Sequence, residues 1–173
     1  MPTSYQAPMR KDKEVTRTHS QNQSSNLQSE IATVAHILAQ RDARVIDIKP
    51  DDTLGHAVEV LRDERIGALV VTDGTGALYG ILSERDIVRK LADTPGRTLP
   101  QQVKEVMTDK VETCSPAEAL VSTLKRMTAG RFRHMPVVDR KRLVGMITIG
   151  DVVNYRLNEL EHEALQLKQL IVG

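Results

Sequence analysis

The sequence has no tryptophan, one phenylalanine and three tyrosines, so aromatic residues make up only 2% of its 173 positions. The core must therefore be built from Val, Ile, Leu, Met and Ala, and platforms on which single-stranded nucleic acid could stack are scarce. There is one cysteine, Cys114, which rules out an internal disulfide and a cysteine-based zinc site and fits a reducing, cytoplasmic setting. Cys114 itself is expected to be a half-buried strand residue. No apolar run reaches the roughly 20 residues needed to cross a bilayer. A dominant charge is missing too: the net charge is +1, with 27% charged and 40% hydrophobic residues. That is a soluble globular profile, with no overall electrostatic attraction to nucleic acid or to a membrane. His19, His36, His56 and His162 have no partner spacing for a metal or a catalytic triad and are taken as structural or exposed.

Residues 1–28 are rich in Ser, Thr, Gln and Asn and carry Arg10, Lys11, Lys13 and Arg17. They lack the apolar stretch of a secretory signal and read as a disordered arm. A transit-like role is a compositional alternative, although Asp12 and Glu14 interrupt the basic run.

Beyond the arm, the chain repeats itself once. Val45 to Pro50 reappears as Val111 to Pro116, Leu54 to Arg65 as Leu120 to Arg131, and Ala68 to Asp73 as His134 to Asp139, all at a shift of 66. One turn residue is then lost, and Gly80-Ile-Leu-Ser-Glu-Arg-Asp86 falls on Gly145-Met-Ile-Thr-Ile-Gly-Asp151. The lead-in recurs as well, with Val34-Ala-His-Ile-Leu38 matching Val103-Lys-Glu-Val-Met107.

Each unit reads as a short strand, a helix, two strands and a helix, so the fold class is α/β (α+β) with two βαββα repeats. Leu54, Ala57, Val58 and Leu61 give the first helix an apolar stripe. Asp73 to Gly76 suits a hairpin turn, which the second unit makes with Arg140-Lys141-Arg142, a solvated basic tip. Two prolines and a glycine mark residues 94–100 as a linker between units at 31–93 and 101–157. Neither unit can cover its sheet face alone, so the two should pack with pseudo-two-fold symmetry and leave two clefts between them.

Ser83 with Asp86, and Thr148 with Asp151, sit where the last strand of each unit gives way to a helix. A hydroxyl at a helix N-terminus favours a phosphate, and a carboxylate three residues on can accept ribose hydroxyls. The same residues also spell a capping box, which stabilises helices that bind nothing. Arg133 and His134 precede a buried strand where the first unit has Gly67 and Ala68; they read as an asymmetric phosphate contact or as a strand end at the surface. Arg85 and Arg65 are further candidates for a cationic rim.

These residues resemble tandem CBS domains, the Bateman module, over about residues 31–160, and in particular small stand-alone bacterial members. The two Gly-h-x-Ser/Thr-x-x-Asp stretches carry the likeness, and Arg131-Phe-Arg-His-Met-Pro-Val-Val138 is similar to the family's second-repeat signature. The resemblance implies that Asp86 and Asp151 bind ribose hydroxyls. It places Ser83, Thr148, Arg133 and His134 near phosphate, and Val45 and Val111 beside an adenine base. It implies AMP, ADP, ATP, S-adenosylmethionine or NAD(H) as ligand, a homodimer, and regulation of a partner protein without catalysis or a catalytic cofactor. The chain is too short to add a catalytic barrel of about 250 residues, and no nucleophile stands beside a base. The alternative is a ligand-free interaction or dimerisation scaffold in which the two motifs only cap helices. A C-terminal helix is expected over residues 158–173, and from just ahead of it Leu157, Leu160, Ala164, Leu167 and Ile171 alternate by three and four, as a coiled-coil dimer seam does; the other reading lays that helix on its own domain.

Overall fold

The computed structural model describes residues 32–41 and 44–172. The arm expected over residues 1–28, and His19 with it, lie outside the described residues. The order of elements is α1 (Val34–Gln40), β1 (Asp47–Ile48), α2 (Leu54–Glu64), β2 (Ala68–Thr72), β3 (Leu78–Ser83), α3 (Glu84–Asp93), a 3-10 turn (Val103–Glu105), α4 (Leu120–Gly130), β4 (His134–Asp139), β5 (Arg142–Thr148) and α5 (Ile149–Val172). The duplicated βαββα architecture is present, and α5 carries the second repeat without a break into the C-terminal helix.

In the first repeat β1 pairs parallel with β2, and β2 pairs antiparallel with β3. The run Ala68 to Thr72 is apolar throughout except for its last residue, and all of β2 is buried. The stripe of α2 is narrower than expected: Leu54, Ala57 and Leu61 are buried, whereas Val58 is exposed.

The second repeat pairs β4 with β5, but its first strand shrinks to a single bridge between Cys114 and Val137. Proline explains the loss. In the first repeat the Val70 N–H reaches the Ile46 carbonyl at 3.4 Å, while the counterpart of Val70 is Pro136, which has no N–H to donate. What remains is Cys114 donating to the Pro136 carbonyl at 3.1 Å and accepting from Val138 at 2.8 Å. Cys114 is 4% exposed, more buried than a strand edge would leave it. Burial pushes its thiol up to about 12, so it is not a nucleophile near neutral pH. The second hairpin turns on two residues: Arg140 and Lys141 both have positive φ, and Arg142 already belongs to β5.

The two lead-ins change places. Val34 and Ile37 of α1 are buried with Leu120, Met127, Met135 and Ile147 of the second repeat. Val103, ahead of the second repeat, is buried with Leu54, Leu61, Leu69 and Leu82 of the first. The hydrogen bonds cross in the same way, with Leu54 N–H donating to the Gln101 carbonyl at 2.8 Å and Leu120 N–H to the Ala32 carbonyl at 2.9 Å. Each lead-in therefore supplies an acceptor to an N-terminal N–H of the other repeat's helix, a group that helix geometry leaves without an internal partner.

The motif glycines make room for this exchange. A Cβ on Gly80 would stand 2.7 Å from Met107 Sδ and 2.8 Å from the Thr108 carbonyl oxygen, and one on Gly145 would stand 2.7 Å from Leu38 Cδ2. At the Gly80 crossing, Ile81 and Thr108 exchange hydrogen bonds of 3.0 and 2.9 Å.

Candidate functional site

Two clefts open where the repeats meet, and each is built from both. The first, of about 340 Å³, is lined by Ser83, Arg85 and Asp86 from the first repeat and by Val111, Arg133 and His134 from the second. The second, of about 280 Å³, is lined by Thr148 and Asp151 from the second repeat and by Val45 and Arg65 from the first. The first lies at the small end of the range for small-molecule sites, about 300–1,000 Å³, and the second just below it. Gly67 and His134 line both clefts and form the wall between them.

At each strand-to-helix junction the aspartate folds back as a cap. Asp86 Oδ2 accepts from Ser83 N–H at 3.0 Å and from the Ser83 hydroxyl at 2.5 Å. Asp151 Oδ2 accepts from Thr148 N–H at 2.8 Å, and Thr148 Oγ1 accepts from Asp151 N–H at 3.1 Å. The caps use one oxygen of each carboxylate. Among the described residues no donor meets Oδ1 of Asp86 or of Asp151, which leaves an acceptor in each cleft.

The first helical N–H is also taken: Glu84 donates to the Gly67 carbonyl at 3.1 Å and Ile149 to the Arg133 carbonyl at 3.0 Å. Recognition of an anion therefore falls to side-chain cations more than to the helix ends. The Ser83 hydroxyl already donates to Asp86, so Ser83 has less to offer a phosphate than its position in the sequence suggests.

Arg65 and Arg131 are equivalent, and both hold left-handed backbone at the ends of α2 and α4, with φ of 55° and 56°. Glycine is the residue that usually occupies this conformation. Each arginine lines a cleft, and strain kept at a ligand site is a recurrent pattern. Arg85 donates to the Arg131 carbonyl at 2.9 Å, tying α3 to the second repeat.

Sequence reasoning missed Arg41 and Arg44 in the second cleft and Arg89 and Lys110 in the first. A signal was present for two of them, because Arg44 and Lys110 are equivalent basic residues just ahead of Val45 and Val111. Arg41 Nη1 donates to Asp151 Oδ2 at 2.7 Å, a contact between residues 110 positions apart that no local pattern reveals.

Burial holds the His134 imidazole below its ordinary pKa, and Arg133 pushes the same way, while Glu84 and Asp151 oppose them. The other described histidines stand apart from the clefts: His36 caps α1 through Thr33 N–H at 3.1 Å, and His56 and His162 are exposed. Among the described residues no three His, Cys, Asp or Glu side chains are grouped to hold a metal, and no helix is long and apolar enough to cross a membrane.

Comparisons with known proteins bear on the family and the fold. The family model of the CBS domain matches twice, over residues 34–93 and 103–158. A CBS-domain containing protein of Agrobacterium tumefaciens is 39% identical and superposes with a TM-score of 0.70 over 72% of this chain and 99% of its own. The CBS domain pair of protein MJ0100, solved in complex with 5′-methylthioadenosine and S-adenosyl-L-methionine, is 26% identical, with a TM-score of 0.64 over 72% of this chain and 98% of its own. The mitochondrial CBS domain-containing protein CBSX3 of Arabidopsis thaliana is 35% identical over 127 residues, 71% of this chain. The chain spans 62% of that protein's length and 33% of a Thermofilum pendens relative's. With two family matches on the two repeats and a common fold across these relatives, the chain belongs to the CBS domain family as a tandem pair.

Proposed function

We propose that this CBS pair is a regulatory sensor that binds an adenine nucleotide, AMP, ATP or NAD(H), in its inter-repeat clefts and performs no catalysis. The observation that carries the reading is the cross-repeat pairing of a carboxylate, whose Oδ1 has no partner among the described residues, with cationic side chains in each cleft. In this reading Asp86 and Asp151 accept ribose hydroxyls and Val111 and Val45 flank the base. Arg85, Arg133, His134 and, less directly, Ser83 and Thr148 face phosphate. The adenosine-type ligands bound by the MJ0100 pair support the ligand class. Because each cleft draws on both repeats, a bound ligand changes how they pack and thereby signals to a partner; such a shift requires that it favour one packing over the other.

The functional units are residues 31–93 and 101–157 joined by 94–100, and the setting is cytoplasmic. Homodimer formation belongs to the same proposal. Leu157, Leu160, Leu167 and Ile171 are 52%, 60%, 61% and 83% exposed, so the seam of α5 is not packed on its own domain. A second reading, a scaffold whose motifs only cap helices, is favoured by the two formed capping boxes. Titration calorimetry with AMP, ATP, NADH and S-adenosylmethionine separates them: a sensor gives saturable heat with at least one, and a scaffold gives none with any.

A further inference from the structure

The two clefts hold their cations differently. Arg85, Arg89, Lys110, Arg131 and Arg133 line the first, and among the described residues none of the five is in an ion pair. The carboxylates facing them are Glu84, Asp86 and Glu112, of which Glu112 is already paired with Arg126. The second cleft has Arg41, Arg44 and Arg65. Arg41 is paired with Asp151 at 2.7 Å and Arg44 with Glu64 at 3.5 Å, so Arg65 is its one cation outside an ion pair among the described residues.

The repeat alignment shows the source of the difference. At the shift of 65 that superposes the two motifs, Arg85 and Arg89 fall on Gly150 and Asn154. The first turns of α3 thus bring two guanidinium groups to a place where α5 brings none. Arg44 and Lys110 are equivalent in type, but only Lys110 has its charge to spare.

Each phosphoryl group added to a nucleotide adds negative charge, and guanidinium and ammonium groups meet it with charge-assisted hydrogen bonds. A cation that is already paired must first give up its partner, so the paired arginines of the second cleft have less to contribute. We propose that the first cleft is a nucleoside polyphosphate site. The second takes a nucleoside bearing at most one phosphate, with Arg41 leaving Asp151 as the ribose arrives. This proposal rests on the nucleotide-sensor reading and names which ligand goes to which cleft.

Titration calorimetry on the full chain with AMP and ATP, without divalent cations, tests it. ATP should bind at least about tenfold more tightly than AMP, roughly the value of one charge-assisted hydrogen bond. Asp86→Asn should remove the ATP site. The variant combining Arg89→Ala with Lys110→Ala, both at exposed positions, should bring the two affinities to within about threefold. Equal affinities in the unaltered chain, or a preference that survives the double substitution, overturn the partition. Absence of binding by either nucleotide overturns instead the reading on which it rests.

Discussion

His134 stands against Gly67 across the junction of the repeats: a Cβ at Gly67 would lie 3.3 Å from Cε1 of the imidazole. By the shift of 66, Gly67 is the counterpart of Arg133 and Ala68 of His134, so the small residues of the first unit sit where the ring of the second takes up the shared space. The asymmetry of the sequence thus matches a close approach of the imidazole to Gly67. The His134 imidazole stands between the clefts and lines both.

That position makes His134 a source of pH dependence. Its folded pKa lies below the ordinary imidazole value of about 6.5, so the fold favours the neutral ring. The resulting stability is present above about pH 6.5 and is lost as pH falls through the folded value. Thermal unfolding from pH 7.5 down to 5 should show the midpoint of the unaltered chain falling more steeply than that of His134→Gln. Parallel curves would contradict the assignment.

The exchange of lead-ins makes the motif glycines unequal. At Gly80 an added methyl meets a backbone carbonyl, whereas at Gly145 it meets the end of a flexible leucine. Gly80→Ala should destabilise the protein by about 1–3 kcal/mol in urea unfolding, as overpacking does, and Gly145→Ala by distinctly less. If the order were reversed, the crossing at Thr108 would not be the rigid one.

Arg65 and Arg131 set stability against binding. Replacing either with glycine relieves left-handed backbone and should stabilise the fold by about 1 kcal/mol. The same change removes a cation from a cleft. Denaturation and nucleotide titration on Arg131→Gly should therefore move in opposite directions; weakened binding with no gain in stability would argue against stored strain.

The distal part of α5 supports dimerisation on this account. Deleting residues 160–173 should lower the mass measured by light scattering from dimer to monomer while leaving the unfolding midpoint within a few degrees, because residues 160–171 are all exposed. An unchanged mass would place the interface elsewhere.

The duplication was legible in the sequence, because a shift of 66 brings α2 on α4 and β2 on β4, and the candidate site residues were proposed from the same alignment. The exchange of lead-ins was harder to read. Val34 and Val103 match at a shift of 69, not 66, which shows that the lead-ins are set apart from the units they precede but not where each one packs. Which residues share a cleft across the repeats was also hidden: Asp86 lines one with Val111 and Arg133, and Asp151 the other with Val45 and Arg65, which is a consequence of the pseudo-dyad and not of proximity along the chain. The short first strand of the second repeat could have been read from Pro136, whose missing N–H is a local fact with a non-local effect. Arg41 could not, since its partner Asp151 is set by the tertiary fold alone.

The most direct test of the account is the stoichiometry of adenine nucleotide binding in Asp86→Asn, Asp151→Asn and the double variant, with circular dichroism confirming that each is folded. Each single substitution should remove one of two sites and the double should remove both. Nucleotide binding that persists unchanged in the folded double variant would contradict the assignment of the two inter-repeat clefts.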